Sequence, residues 1–446
     1  MPAATVTNFV NEQTAAAIDL QTRAHDLIPG GCHTYAKGDD QWPINAPRFI
    51  ARGEGCHIWD TDGNEYIEYG MGCRAVTLGH AFPRVVEAAR RALSVGSNFS
   101  RPAPVEVECA ELFLSLIDGA DMVKFCKDGS SATTGALKLA RAHTGRDLVA
   151  LCSDHPFFST ADWFIGTTAI DAGIPQAIKD LSVGFRYNDI ESVRQMFAAH
   201  HGRIAALILE PAKYEDPQDN FLHEVQALCE ANGTVFVLDE MITGFRWHNG
   251  GGQKYYDIVP DLSTFGKAFG NGFSVSALAG KRHLMELGGL HHDKERVFLL
   301  STTHGAEVHT LAAAIETMKT YIEEPVIETI WSQGERLKQG LDRVIARHGL
   351  EDYVQIIGKP CALVFVCRDT EGRASQKFRS LFLQETIKRG LLMTSLILSY
   401  SHTTADVDLT IARIDDALSV YAQAVEHGVD NYLVGRPSSV VYRRYN

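Results

Sequence analysis

The chain lacks any apolar run close to the ~18 residues that a membrane span needs. Its start, "MPAATVTNFVNEQTAAAIDL", has no basic stretch leading into an apolar core, so no secretory signal is predicted. Positive charge is in short supply: 42 Lys and Arg face 55 Asp and Glu, a net charge of −13. A nucleic-acid binder needs a basic face, so that class is set aside. An anionic substrate is not excluded, because a pocket can be locally basic. The nine cysteines are odd in number and include no CxxC pair. They read as free thiols of a reducing, cytoplasmic compartment, with Cys126, Cys152 and Cys229 in or beside apolar runs. HExxH and GxSxG are missing, so neither a zincin nor a nucleophile elbow is encoded and no metal site is expected. Asp261 stands where a P-loop ending at Lys267 would need glycine, and "GKAFGNG" is not GxGxxG. His291 and His292 lie in a charged loop and read as surface histidines. No internal repeat or low-complexity segment appears.

What is present is an ordinary globular composition over 446 residues, 45% apolar and 22% charged. Residues 13–27 have a helical pattern that "IPGG" ends. "FIARGEGCHIWDTDGNEYIEY" (Phe49–Tyr69) predicts a β-hairpin or meander turning at Asp62-Gly63-Asn64. Pro83–Gly96 and Val105–Ile117 are helical in period. Short apolar strands then alternate with amphipathic helices: "DMVKFC", "DLVALC", "IAALILEP" and "TVFVLDE" are the strands. That alternation predicts an α/β domain with a mostly parallel sheet. The division expected is 1–94 as an N-terminal helix and meander belonging to a small domain, 95–325 as the large α/β domain, and 326–446 as the α+β remainder of the small domain. In the last part "LLMTSLILSYS" reads as one strand.

Ligands of open α/β sheets bind beyond the carboxyl ends of the strands. After "DMVKFC", Lys127-Asp128-Gly129-Ser130-Ser131 meets a helix start, which suits a phosphate and equally suits a plain serine N-cap. After "DLVALC" stands Phe157-Phe158, either a ring stacker or two core residues. After "TVFVL" come Asp239 and Glu240, costly to bury unless paired. Lys267 follows in a polar, glycine-rich collar, which we read as leaving room for the lysine to swing. A phosphate seat, a ring stacker, a carboxylate for a ring nitrogen and a lysine able to form a Schiff base together fit pyridoxal 5'-phosphate.

The run "VFVLDEMITGFRWHNGGGQKYYDIVPDLSTFGKAFGNG" resembles the fold-type I, class III aminotransferases that use pyridoxal phosphate, and among them most the glutamate-1-semialdehyde 2,1-aminomutases. "IPGG", "WDTDGNEYIEY", "LGHAFPRVVEA", "LARAHTGRD", "YNDIESV", "ILEP" and "PDLSTFGK" match in order, so the resemblance covers nearly the whole chain. It implies that Lys267 holds the cofactor and later moves the proton, and that Asp239 pairs with the pyridine nitrogen. It further implies that Phe157 stacks on the ring, Met241 packs on the opposite face, and Gly129 and Ser130 cradle the phosphate. Thr302 in "LLSTTHGAE" matches a threonine that reaches the phosphate from a neighbouring subunit, which implies a homodimer with its active site at the interface.

The departures concern the substrate. The aminomutases hold the substrate carboxylate with an arginine soon after "PGG"; here Lys37 stands at about that place, and a lysine is no bidentate fork. Cys73-Arg74 replace a tryptophan and glycine. The seat reads Lys-Asp-Gly-Ser, "AKYEDP" follows "ILEP" without the usual partner for the ring hydroxyl, and "HGAE" replaces "SGNP". "TSLILSYSH" is shorter than its counterpart and lacks a glutamate. The expectation is therefore an intermolecular aminotransferase taking an amino group from a small-molecule donor such as glutamate to an aldehyde or ketone acceptor. Lys37, Cys73 and Arg74 are its candidate substrate contacts. The alternatives are the 2,1-aminomutase reaction and, lower, a non-catalytic cofactor-binding protein.

Overall fold

The computed structural model describes residues 14–154 and 159–443. It separates into two compact units: Pro83–Ile327, and the described residues up to Phe82 together with Glu328–Arg443.

The larger unit is built on a seven-stranded sheet. Its strands are β1 (Met122–Cys126), β2 (Leu148–Cys152), β3 (Ser182–Phe185), β4 (Ile204–Leu209), β5 (Val235–Asp239), β6 (Leu262–Phe265) and β7 (Ser276–Gly280). They lie in the order β1-β7-β6-β5-β4-β2-β3. The neighbours from β6 across to β3 pair in parallel, and β7 runs antiparallel to both β1 and β6. Every residue of β4 and β5 is buried, as in a sheet covered on both faces. Side chains alternate between those faces: Ile208 and Val237 join one core, Leu207, Phe236 and Leu238 the other. Strands β6 and β7, "LSTF" and "SALAG", are as buried as the rest but rich in small and hydroxyl residues, so they carry no apolar signature in the sequence.

Helix α1 (Gly129–Thr144) follows β1, and Gly145 ends it in the left-handed region at φ 65°. Its cap is Asp128, whose carboxylate accepts from the Ser131 amide at 2.8 Å, rather than the serine that the sequence offered. Helix Pro83–Leu93 belongs with this unit. Its Arg84 meets Glu316, Glu323 and Glu324 at 3.3, 2.9 and 3.4 Å, at the end of helix α2 (Val308–Glu323).

The smaller unit contains the expected meander, Ile50–Glu54, His57–Asp60 and Glu65–Glu68, joined by Leu391–Leu392 as a fourth strand. Asp60 Oδ1 accepts from the Asp62 and Asn64 amides at 3.0 and 2.8 Å, and Gly63 turns at φ 85°. A second sheet holds Val354–Ile357, Ala362–Cys367 and Leu396–Ile397. The single strand expected over "LLMTSLILSYS" is thus two short ones in different sheets. Leu391–Leu392 runs parallel to Ile67–Glu68, whereas Leu396–Ile397 runs antiparallel to Ala362–Leu363, and the intervening residues carry the chain between them. Among the described residues no helix is long and apolar enough to cross a membrane.

Candidate active site

Strands β4, β5 and β6 are adjacent and parallel, with Leu209 beside Leu238 and Asp239 beside Thr264. The register sets the residues at their carboxyl ends in a row: Glu210, Asp239, then Gly266-Lys267. Sequence reasoning named Asp239 and Lys267 but passed over Glu210, whose signal was a carboxylate closing the apolar run "IAALILE".

Asp239 is 1% exposed. Its Oδ1 accepts from the Met241 amide at 3.0 Å and the Thr264 hydroxyl at 3.3 Å. Burial, and then the Glu210 carboxylate, push its carboxyl above the usual range, while Lys267, the Met241 amide and Thr264 pull the other way. Lys267 opens a 3-10 turn, Lys267–Gly270, with its own φ at 48°. A side-chain-bearing residue in that region stores about 1–2 kcal/mol, a strain typical of functional positions. Phenylalanines cluster around the turn, Phe269 among them. Ring centroids lie 5.2 Å apart for Phe113–Phe265, 5.4 Å for Phe113–Phe269 and 5.8 Å for Phe245–Phe269.

Close approaches add a second constraint at two glycines, Gly266 beside Lys267 and Gly129 at the start of α1. A Cβ on Gly266 would lie 2.7 Å from Met241 Sδ, and one on Gly129 would lie 2.9 Å from it. The thioether lies between the start of α1 and the lysine turn, and a Cβ at either glycine would force it to shift, with Ser276 Oγ also 2.6 Å from a Cβ on Gly266. Met241 therefore joins the seat to the lysine. Ser130 stands beside Gly129, and its Oγ accepts from the Thr160 amide at 3.0 Å. Phe157 lies outside the described residues.

Two of the sequence departures prove to be partners. Lys127 of the seat forms an ion pair with Glu307 of "HGAE", and His304 Nδ1 lies 3.4 Å from the other oxygen of Glu307. The Lys127 carbonyl accepts from the Ser274 hydroxyl at 2.8 Å, so the seat, the loop after Lys267 and the segment before α2 converge there. Thr302 is exposed on that last segment.

Lys37, Cys73 and Arg74 belong to the smaller unit. Lys37 ends an exposed 3-10 turn. Met71, Gly72, Cys73 and Arg74 make a left-handed turn with φ of 42, 57, 58 and 69°. The Arg74 amide donates to the Gly70 carbonyl at 2.9 Å, and the Ala75 amide to the Met71 carbonyl at the same distance. Three of the four carry side chains, so the turn is strained at the place where the sequence put substrate contacts.

Glu240 is fully buried and accepts from the Thr243 hydroxyl and from the Gly252 and Gln253 amides, the latter two at 2.8 and 2.6 Å. It pins the loop that follows β5. Burial pushes its carboxyl up to about 7 against those three hydrogen bonds. A carboxyl raised by folding adds stability below its unfolded value of about 4.3 and loses it as pH rises through the folded value. The urea midpoint of the cofactor-free protein is therefore expected to fall between about pH 5 and 8, with Asp239 acting in the same sense. Glu240→Gln is expected to flatten part of that slope. It is also expected to cost about 1–3 kcal/mol at pH 8, because one backbone amide then faces an NH₂ group. A midpoint independent of pH in the unsubstituted protein would contradict this account.

Comparison with known proteins matches this geometry. The pattern described as aminotransferase class-III fits residues 39–418. A glutamate-1-semialdehyde 2,1-aminomutase of Acetivibrio thermocellus is 31% identical over 427 residues, covering 89% of this chain and 96% of that one. Glutamate-1-semialdehyde 2,1-aminomutase 2 of Bacillus thuringiensis is 29% identical over 418 residues, with the same coverage of 89% and 96%. Among solved structures, the PLP internal aldimine form of the FumI protein of Sphingopyxis sp. MTA144 superposes with a TM-score of 0.85 at 30% identity, covering 92% of this chain and 97% of that one. An omega-transaminase of Sphaerobacter thermophilus superposes at 0.84 with 25% identity, over 93% of this chain and all of its own. The fold is that of the fold-type I transaminases, and the chain belongs to the class-III aminotransferases.

Proposed function

We propose that the protein is a pyridoxal-phosphate-dependent aminotransferase that moves an amino group from a donor such as glutamate to an aldehyde or ketone acceptor. The observation that carries this reading is the row of Asp239 and Lys267 at the ends of β5 and β6, tied to the start of α1 through Met241. The residues fit the cofactor. A helix N-terminus with a glycine suits the phosphate, and a buried carboxylate suits a protonated ring nitrogen.

When bound, the cofactor supplies an electron sink for bonds broken at the substrate carbon. Lys267 would hold it, and its amine would then take and return the proton at that carbon. Both described bonds to Asp239 fall on Oδ1, so Oδ2 is the oxygen we assign to the ring nitrogen. Met241 would bear on one ring face, Phe157 on the other, and Gly129 and Ser130 on the phosphate. Lys37, Cys73 and Arg74 are assigned to the substrate. Thr302 would serve a second subunit, a role supported by the apolar side chains exposed near it, Phe99 at 51% and Phe298 at 70%.

The 2,1-aminomutase reaction is the second reading, favoured by the names of the relatives at about 30% identity. The loaded enzyme is expected to lose its long-wavelength absorption on adding glutamate and to regain it with a carbonyl acceptor. If no amino donor bleaches it, while glutamate-1-semialdehyde is converted to aminolevulinate, the second reading replaces the first.

A further inference from the structure

Glu210 is 2% exposed, yet a charge stands next to it at either end. Lys213 Nζ lies 3.2 Å from Glu210 Oε1, with the lysine side chain 15% exposed. Glu210 Oε2 has no hydrogen-bond partner among the described residues. On the next strand stands Asp239, and on the one after it Lys267. The strand ends thus carry a line of four charges in the order Lys213, Glu210, Asp239, Lys267: positive, negative, negative, positive. Two carboxylates side by side in a dry setting do not both stay ionised unless cations flank them.

Among the described residues, the hydroxyls and carboxylates nearby supply no cation. The Tyr187 hydroxyl, arriving from beyond β3, donates to the Pro211 carbonyl at 2.7 Å, and the Tyr187 amide donates to Asp154 at 2.9 Å. Asp216 and Glu215 lie farther along the same loop and add negative charge around Tyr187. Thr264 gives Asp239 a hydroxyl only.

We infer that Lys213 is a positioning residue whose ion pair holds the Glu210 carboxylate in place beside Asp239, so that Glu210 and Asp239 together hold the proton on the cofactor's ring nitrogen. The inference rests on the reading of Asp239 as the ring-nitrogen partner. Asp239 alone carries one negative charge toward that proton, and a charged Glu210 behind it raises Asp239's hold on the proton. Without Lys213, Glu210 loses this ion pair and with it the hold on its carboxylate, so its contribution is lost. The segment "AKYEDP", which in the sequence only lacked a contact to the ring hydroxyl, acts instead through the strand-end carboxylates.

The test is nitrogen-15 NMR of the full-length holoenzyme loaded with pyridoxal phosphate labelled at the ring nitrogen, titrated between about pH 6 and 10. A purely structural ion pair would leave this signal where it is. Lys213→Met and Glu210→Gln are each expected to lower the deprotonation midpoint of the ring nitrogen by about one unit, a tenfold change in proton affinity. The double variant is expected to go no lower, and Lys213→Arg to restore the original midpoint. If Lys213→Met will not fold, the comparison of Glu210→Gln with Lys213→Arg decides. Equal midpoints for wild type and Glu210→Gln overturn the inference. If Asp239→Asn leaves the ring nitrogen protonated as before, the underlying assignment of Asp239 fails. If Asp239→Asn lowers the midpoint and Lys213→Met does not, only the role of Lys213 fails.

Discussion

Lys267→Ala is expected to fold normally and to lose amino transfer by at least about 10³-fold, because it removes the residue proposed as both covalent anchor and proton carrier. Two measurements check this apart from turnover. Hydride reduction followed by peptide mass analysis is expected to leave the cofactor mass on the Lys267 peptide of the unsubstituted protein and on no peptide of the variant. Backbone strain supplies the second. Lys267 sits at φ 48°, so Lys267→Gly is expected to unfold at higher urea than Lys267→Ala, by about 1 kcal/mol. Cofactor fixed to another lysine, or residual activity within tenfold of wild type, would remove Lys267 from its assigned place.

Asp239→Asn is the second large effect. Asparagine keeps an oxygen for the Met241 amide and the Thr264 hydroxyl but carries no charge. Removing one partner of a buried charged pair costs about 3–5 kcal/mol, so kcat/KM is expected to fall on the order of 10²–10⁴-fold. The cofactor-free protein is expected to respond in the opposite direction. Folding raises the Asp239 carboxyl, chiefly through burial and Glu210, so its charge costs stability at pH 8 and costs nothing at pH 4. The variant is then expected to melt higher than wild type at pH 8 and to match it at pH 4. A variant that melts lower at pH 8 would mean that Asp239 holds the empty site together instead of straining it.

Much of the site was legible because chemistry of this kind needs rare residue types in fixed order. An aspartate closing a buried strand and a lysine among glycines stand out against composition, and their order along the chain matched a known family. The small-residue strands around Lys267 did not stand out. "LSTF" and "SALAG" are buried because the sheet covers them, and their own side chains offer little apolar signal. Pairings across large sequence distance were equally hidden. Lys127 and Glu307 each looked like an isolated departure, and only the fold makes them one ion pair.

The sequence by itself determined the fold class, the family and the residue types proposed to meet the cofactor, since alternating apolar periods and a local motif are written in consecutive residues. The tertiary structure decided what crowds Gly129 and Gly266, because the Met241 thioether that a Cβ there would displace arrives from another strand end. It also decided which charges act together. Lys213, Glu210, Asp239 and Lys267 become a single electrostatic line only when β4, β5 and β6 lie side by side, since Coulomb energy depends on distance in space and not along the chain.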